Sequence, residues 1–215
     1  MSVREQSGVR VAGDHLCGLT WLEGLLWYSD AGLEQIVAVD PVNGAEASRL
    51  PCPGVRTGLT AADGGKSLVQ VVGEDKRLRA LDPHSGDVIE EYANPRPGGE
   101  LCGLHDTAGG LWFGYQRPAV LDLRRHGDHE PIVTIPVDED VADMTVVDGL
   151  VVFASNDDSR LNVVDPGTGQ IVRAIEVAGS PTGLTWDGNR FWYCDYGAGH
   201  LRAVEVDLGE LVAAA

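Results

Sequence analysis

Cys17-Gly18-Leu19-Thr20-Trp21, Glu23-Gly24 and Leu25-Leu26-Trp27-Tyr28-Ser29 read as two short apolar strands joined by a tight turn. Aromatic and β-branched runs bounded by Gly, Asp and Asn are the signature of strands and hairpins. Moving outward, Ala31-Gly32-Leu33-Glu34 turns the chain into a third strand, Gln35-Ile36-Val37-Ala38-Val39. Asp40-Pro41-Val42-Asn43-Gly44 closes it, and a more polar fourth strand runs through Ala45 to Leu50. Proline presets φ at such a turn and glycine supplies the positive φ that ends it.

The unit recurs. Gly18-Leu19-Thr20 returns as Gly58-Leu59-Thr60, Gly103-Leu104-His105, Asp143-Met144-Thr145 and Gly183-Leu184-Thr185, every 40 to 45 residues. Two further marks keep step: Asp40, Asp82, Asp122, Asp165 and Glu205, then Gly44, Gly86, Gly127, Gly169 and Gly209. Four antiparallel strands per unit, repeated five times, predict an all-β fold, a five-bladed β-propeller. No segment sustains a 3.6-residue apolar period, which argues against a helical solenoid. A parallel β-helix is the runner-up, with repeats that are usually shorter.

A unit of about 40 residues does not bury a core alone, so residues 1–215 form a single domain. Its blades fall near residues 14–53, 54–98, 99–138, 139–179 and 180–215. Val11-Ala12-Gly13 resembles Val177-Ala178-Gly179 at the end of blade four. The ring is therefore closed either by residues 8–13 or by residues 209–213.

A net charge of -17 argues against nucleic acid, whose binding rests on phosphate neutralisation by Lys and Arg. It argues equally against anionic membrane surfaces, and it suits a small-molecule ligand of cationic type. No apolar run approaches the roughly 18 residues of a membrane span. The opening Met1-Ser2-Val3-Arg4-Glu5-Gln6 lacks the pattern of a signal peptide. A cytoplasmic protein is the expectation. The four cysteines show no metal-finger spacing and read as reduced thiols.

In a four-stranded meander, the loop entering strand one and the loop leaving strand two share one face. The units agree along their strands and turns and differ there, so the channel mouth on that face is the expected small-ligand site. Cys17, Thr57, Cys102, Ala142 and Thr182 precede the repeat mark, while Asp30, Glu74, Tyr115, Gln116, Asn156, Asp157, Asp195 and Tyr196 end strand two. Asp30, His105, Asp143 and Asp195 are the candidate acids and bases. Cys17, Thr57, Cys102, Tyr115, Asn156, Thr182 and Tyr196 are the candidate ligand contacts. The mouth carboxylates with Asn156 also suit a divalent cation, Ca²⁺ or Mg²⁺, and Cys17 and Cys102 with His15 and His105 suit a soft metal. A carboxylate about 6 Å from a thiol, in an effective dielectric near 20, opposes its ionisation by roughly 2.8 kcal/mol. An acidic mouth thus disfavours a cysteine nucleophile.

Gly183-Leu184-Thr185-Trp186-Asp187-Gly188-Asn189-Arg190-Phe191-Trp192-Tyr193-Cys194-Asp195 resembles the blade pattern shared by three groups. These are the glutaminyl cyclases of plants and bacteria, the virginiamycin B lyases and the SMP-30/gluconolactonase group. Gly58-Leu59-Thr60 through Val69-Gln70-Val71-Val72 resembles the second blade of the cyclases in particular. The resemblance implies a five-bladed propeller and small-molecule chemistry of the lyase, cyclase or hydrolase kind at the mouth. The alternative is a non-catalytic propeller that binds a ligand, metal or protein partner. In the cyclases a Gln precedes the first Gly-Leu and a catalytically important Glu precedes the second; here those places hold Cys17 and Thr57.

Overall fold

A computed structural model describes residues 4–207 and 209. Strand β1 (Arg4–Arg10) leads. Blade one follows as β2 (Leu16–Leu22), β3 (Leu25–Asp30), β4 (Gln35–Val39) and β5 (Glu46–Pro51), and blade two as β6 (Val55–Ala62), β7 (Ser67–Val72), β8 (Arg77–Leu81) and β9 (Val88–Tyr92). Blade three holds β10 (Leu101–Thr107), β11 (Gly110–Tyr115), β12 (Val120–Arg124) and β13 (Pro131–Pro136). Blade four holds β14 (Asp143–Val147), β15 (Leu150–Ser155), β16 (Arg160–Asp165) and β17 (Gln170–Glu176). β18 (Pro181–Trp186), β19 (Arg190–Asp195) and β20 (His200–Glu205) belong to blade five. Each sheet is an antiparallel four-stranded meander, and β1 supplies the outer strand of blade five. The fold is a five-bladed β-propeller.

The ring closes through β1. It pairs with β20 in the register Ser7 to Ala203 and Arg10 to His200. The matching Ala-Gly segments explain the slot: Tyr28 donates its hydroxyl to Ala12 O at 3.0 Å and Tyr193 donates to Ala178 O at 2.9 Å. The other closing segment expected, residues 209–213, lies outside the described residues apart from Gly209.

The repeat mark has a physical reason at each of its three places. Inner strands β18, β2, β6, β10 and β14 touch in a closed ring around the axis. The first place is where they come closest: a Cβ on Gly18 would stand 2.7 Å from Leu59 N, and one on Gly58 2.6 Å from Cys102 O. The second place points into the blade interfaces, where Leu19, Leu59, Leu104, Met144 and Leu184 are each at most 1% exposed. The third place laces neighbouring blades. Thr185 Oγ1 accepts from Trp21 N at 3.1 Å, Thr20 Oγ1 from Ala61 N at 3.0 Å and Thr60 Oγ1 from Asp106 N at 3.4 Å. His105 takes the corresponding place in blade three, with Nδ1 at 3.3 Å from Thr145 Oγ1.

Blade three departs from the repeat at its last turn. Gly44, Gly86 and Gly169 each donate N–H to the carbonyl of Asp40, Asp82 and Asp165. In blade three the same bond runs from His129 N to Arg125 O, at 3.1 Å. Arg125 and His129 are therefore the equivalents, and Asp122 and Gly127 are out of register with the marks they were matched to. Asp122 instead sits inside the blade, with no exposure. It accepts from Arg96 and Arg124, whose Nη2 atoms lie 2.9 and 2.8 Å from Oδ2, and from Thr134 Oγ1 at 2.7 Å.

Candidate functional site

Strand ends set the geometry of the mouth. Asp30 and Asp195 end β3 and β19 at equivalent places, pairing with Leu16 and Pro181. Both carboxylates tuck beneath a glycine: a Cβ on Gly13 would fall 1.8 Å from Asp30 Oδ2, and one on Gly179 2.2 Å from Asp195 Oδ1. Both glycines have positive φ, +88° and +76°, so only a residue without a side chain covers the acid comfortably.

Their partners differ. Asp195 is 3% exposed; Oδ1 accepts from Ser180 N at 3.0 Å and Oδ2 from Arg202 Nε at 2.6 Å. Arg202 pairs with Tyr193 across the strand, and the residue paired with Tyr28 in blade one is Val37. Asp30 therefore has no equivalent cation. It is fully buried; Oδ1 accepts from Leu33 N at 2.8 Å, and Oδ2 has no hydrogen-bond partner.

The seam of blades one and five gathers further groups beside Asp30. A Cβ on Gly32 would meet His15 Nδ1 at 2.8 Å and Asp30 Oδ1 at 3.2 Å, so both side chains lie against this glycine. His15 Nδ1 stands 2.8 Å from Asp14 Oδ1, and its ring meets Tyr196 edge-on at 5.8 Å. Tyr196 is 46% exposed. On the other face of blade one, packed toward blade two, Cys17 Sγ lies 3.4 Å from Ser29 Oγ. Burial pushes the Cys17 thiol up to about 12, and the charges of Asp30 and Asp143 act in the same direction.

Asp143 occupies the axis itself. It is the one side chain at the glycine place of the repeat, and it is fully buried. Oδ1 accepts from Met144 N at 2.8 Å and Oδ2 from Leu184 N at 2.9 Å, and the amides of Leu104 and Leu19 also bond to the carboxylate. Four of the five inner strands thus point an N–H at one carboxylate. Burial pushes its pKa well up, and the amides oppose that shift.

The remaining candidates spread around the ring. Thr57 and Thr182 donate their hydroxyls to Leu101 O and Leu16 O, each at 2.8 Å, which stitches adjacent blades. Cys102 Sγ lies 3.5 Å from Glu100 O, and burial pushes its thiol to about 11. Tyr115 is buried, donating to Asn94 Oδ1 at 3.2 Å beneath the Arg96 guanidinium. Asn156 is half-buried and its carbonyl accepts from Ser159 N in a turn. His105 lies at the far end of the channel from Cys17 and Thr57, where burial pulls its pKa down to about 4. The structure brings Asp30 and Tyr196 to one seam, sets Cys17 on the other face of blade one toward blade two, and leaves His105 and Tyr115 apart from both.

Gln70 is a polar core residue outside the sequence-based site candidates. It takes the strand place held by Tyr28, Phe113, Phe153 and Tyr193 in the other blades, pairing with Leu59. It is fully buried, Nε2 donates to Gly58 O and Val71 O, and Oε1 has no partner. The signal was there: an amide in the apolar run Leu68-Val69-Gln70-Val71-Val72.

On the mouth face a cavity of about 570 Å³ lies between blades two and three, lined by Glu74, Lys76, Asn94 and Glu100 among others. Among the described residues, no three His, Cys, Asp or Glu side chains converge to hold a metal ion. No helix among them is long and apolar enough to cross a membrane.

No protein-family model matches the chain, and no curated protein matches it in sequence. Solved structures do share its fold. A glutaminyl cyclase from Myxococcus xanthus superposes with a TM-score of 0.75 at 15% identity, covering 96% of this chain and 97% of that one. A streptogramin B lyase matches with a TM-score of 0.54 at 16% identity, over 89% of this chain and 66% of that one. A catalytically inactive virginiamycin B lyase from Staphylococcus aureus, with quinupristin, matches with a TM-score of 0.54 at 14% identity and the same coverage.

Proposed function

We propose that the chain is a small-molecule enzyme of the lyase, cyclase or hydrolase kind, working by proton transfer on the mouth face, with Asp30 as its general base once the Gly13 segment that covers it gives way to substrate. The observation that carries this is the contrast between two equivalent carboxylates. Asp195 is neutralised by Arg202, whereas Asp30 is buried with one oxygen unpartnered and no cation in the equivalent place. A native fold keeps few such groups, and each asks for a reason. His15 and Tyr196 beside it would position the substrate and donate hydrogen bonds to it. The thiols of Cys17 and Cys102 stay protonated and lie apart from Asp30, so neither serves as a nucleophile there.

Asp143 and Asp195 are better placed as structural groups, because their oxygens are bonded to amides and to Arg202. Glutaminyl cyclisation itself is not expected. Thr57 stands in the place of the cyclase carboxylate, and its hydroxyl is committed to Leu101 O; a hydroxyl does not replace a carboxylate in proton transfer.

The test incubates the protein with an N-terminal glutaminyl peptide, with quinupristin and with a small-molecule panel, and follows the products by mass. Turnover of at least one compound by the wild type, abolished in Asp30→Asn and intact in Thr57→Val, is expected. Turnover that survives Asp30→Asn removes Asp30 from the chemistry. Saturable binding of a panel member without turnover would instead favour a non-catalytic ligand-binding propeller. That second possibility draws support from the number of candidate acids already tied into the scaffold.

A further inference from the structure

The opposite face, built from the turns that close each blade, carries a second cavity. It lies between blades two and three and encloses about 300 Å³, within the range of small-ligand sites. Val69 and Leu111, each at most 7% exposed, form an apolar floor. Asp63, Glu90 and Asp106 stand around it, and Tyr92 and His129 close one side.

We propose that this cleft binds a small organic cation: a primary ammonium carried on a compact apolar or aromatic body. Three observations point the same way. First, the cleft is peculiar to blade three. Where the turns of blades one, two and four have Pro41, Pro83 and Pro166, this one has His126; where they have Gly44, Gly86 and Gly169, it has His129. His129 accepts a left-handed φ of +54° there, a conformation that costs a residue with a side chain. Its ring meets Tyr92 at 5.7 Å and Phe113 at 5.9 Å, both edge-on, and so builds the wall.

Second, the basic groups in and beside the cleft are uncharged or already engaged. Burial lowers the His129 pKa, and Arg124 lowers it further, so the imidazole is neutral near pH 7. Arg124 itself is held by Asp122 and by His129 O. His126 Nε2 lies 2.7 Å from Asp106 Oδ1, whose second oxygen accepts from Asp63 N at 3.1 Å. Third, the acids are placed for an ammonium. Glu90 is braced by the Tyr92 hydroxyl, and Asp63 lines the same cavity. An ammonium between them would have the Tyr92 ring available for a cation–π contact, with its apolar body over Val69 and Leu111.

Benzylammonium is the probe, and benzyl alcohol its uncharged counterpart, both titrated by NMR. Benzylammonium should bind saturably and shift resonances of Tyr92, His126 and His129, with benzyl alcohol at least about tenfold weaker, the scale of one charge-assisted hydrogen bond. Glu90→Gln should weaken the ammonium about tenfold. His129→Gly places in this turn the residue its counterparts carry, so it should fold normally and lose binding with its wall. Equal affinity for amine and alcohol, shifts centred on the channel mouth, or no saturable shift would each overturn the proposal.

Discussion

Replacing Asp143 by glycine would make all five copies of the repeat mark identical. A consensus argument from the repeat alone predicts that Asp143→Gly stabilises the protein. The structure predicts the opposite. The carboxylate accepts backbone N–H bonds from Met144, Leu184, Leu104 and Leu19 in a fully buried setting. Each buried donor left without an acceptor costs about 1–3 kcal/mol. Ordered water in the vacated space would return part of that, and release of a buried charge offsets more. A net loss of about 2–3 kcal/mol is expected, a large share of the roughly 5–15 kcal/mol that holds a typical domain together. Asp143→Ala separates the carboxylate from glycine's backbone entropy, because the Cβ is already accommodated. Urea unfolding of the three proteins gives the answer: the midpoint should fall by about 1 M in both variants with the slope unchanged. A glycine variant as stable as the wild type, or more stable, would refute the axial role of Asp143.

Other outcomes follow from the same geometry. His105 has a folded pKa of about 4 against 6.5 unfolded, so the unfolded chain binds more protons in that interval. Stability should fall by up to about 3 kcal/mol as pH drops from 6.5 to 4. His105→Thr, the residue of all four other blades, should flatten that part of the profile. The raised thiol pKa values predict that iodoacetamide at pH 8 leaves Cys17, Cys102 and Cys194 unmodified until urea is added, read by intact mass. Arg202→Met leaves Asp195 buried without its cation and should cost about 3 kcal/mol in thermal or urea unfolding. Asp30→Asn should cost little or stabilise, because the carboxylate oxygen it replaces has no partner; a loss above about 2 kcal/mol would mark Asp30 as structural.

The fold was legible because its constraints are local and repeated. Glycine where inner strands crowd the axis, leucine into the blade interface and threonine lacing the next blade are each visible in Gly18-Leu19-Thr20 and its copies. The closing strand was half legible: Val11-Ala12-Gly13 announced its match to Val177-Ala178-Gly179, since both segments take a tyrosine hydroxyl from the adjacent blade. Blade three misled, because an acidic, glycine-rich chain offers near matches. Asp122 and Gly127 fell close to the expected spacing, while Arg125 and His129 hold the turn. The site was legible only as a face. Which carboxylates are neutralised depends on a residue on the next strand, Arg202 against Val37, and on chain-distant amides, as at Asp143. Neither pairing leaves a periodic trace.

A crystal structure of the protein soaked with a mixture of small amides, lactones and amines tests the central claim most directly. Density for one bound compound at the seam of blades one and five, within hydrogen-bond distance of Asp30 and against His15 and Tyr196, is the predicted result. Occupancy confined to other parts of the ring, with Asp30 Oδ2 still sealed beneath Gly13, would contradict it.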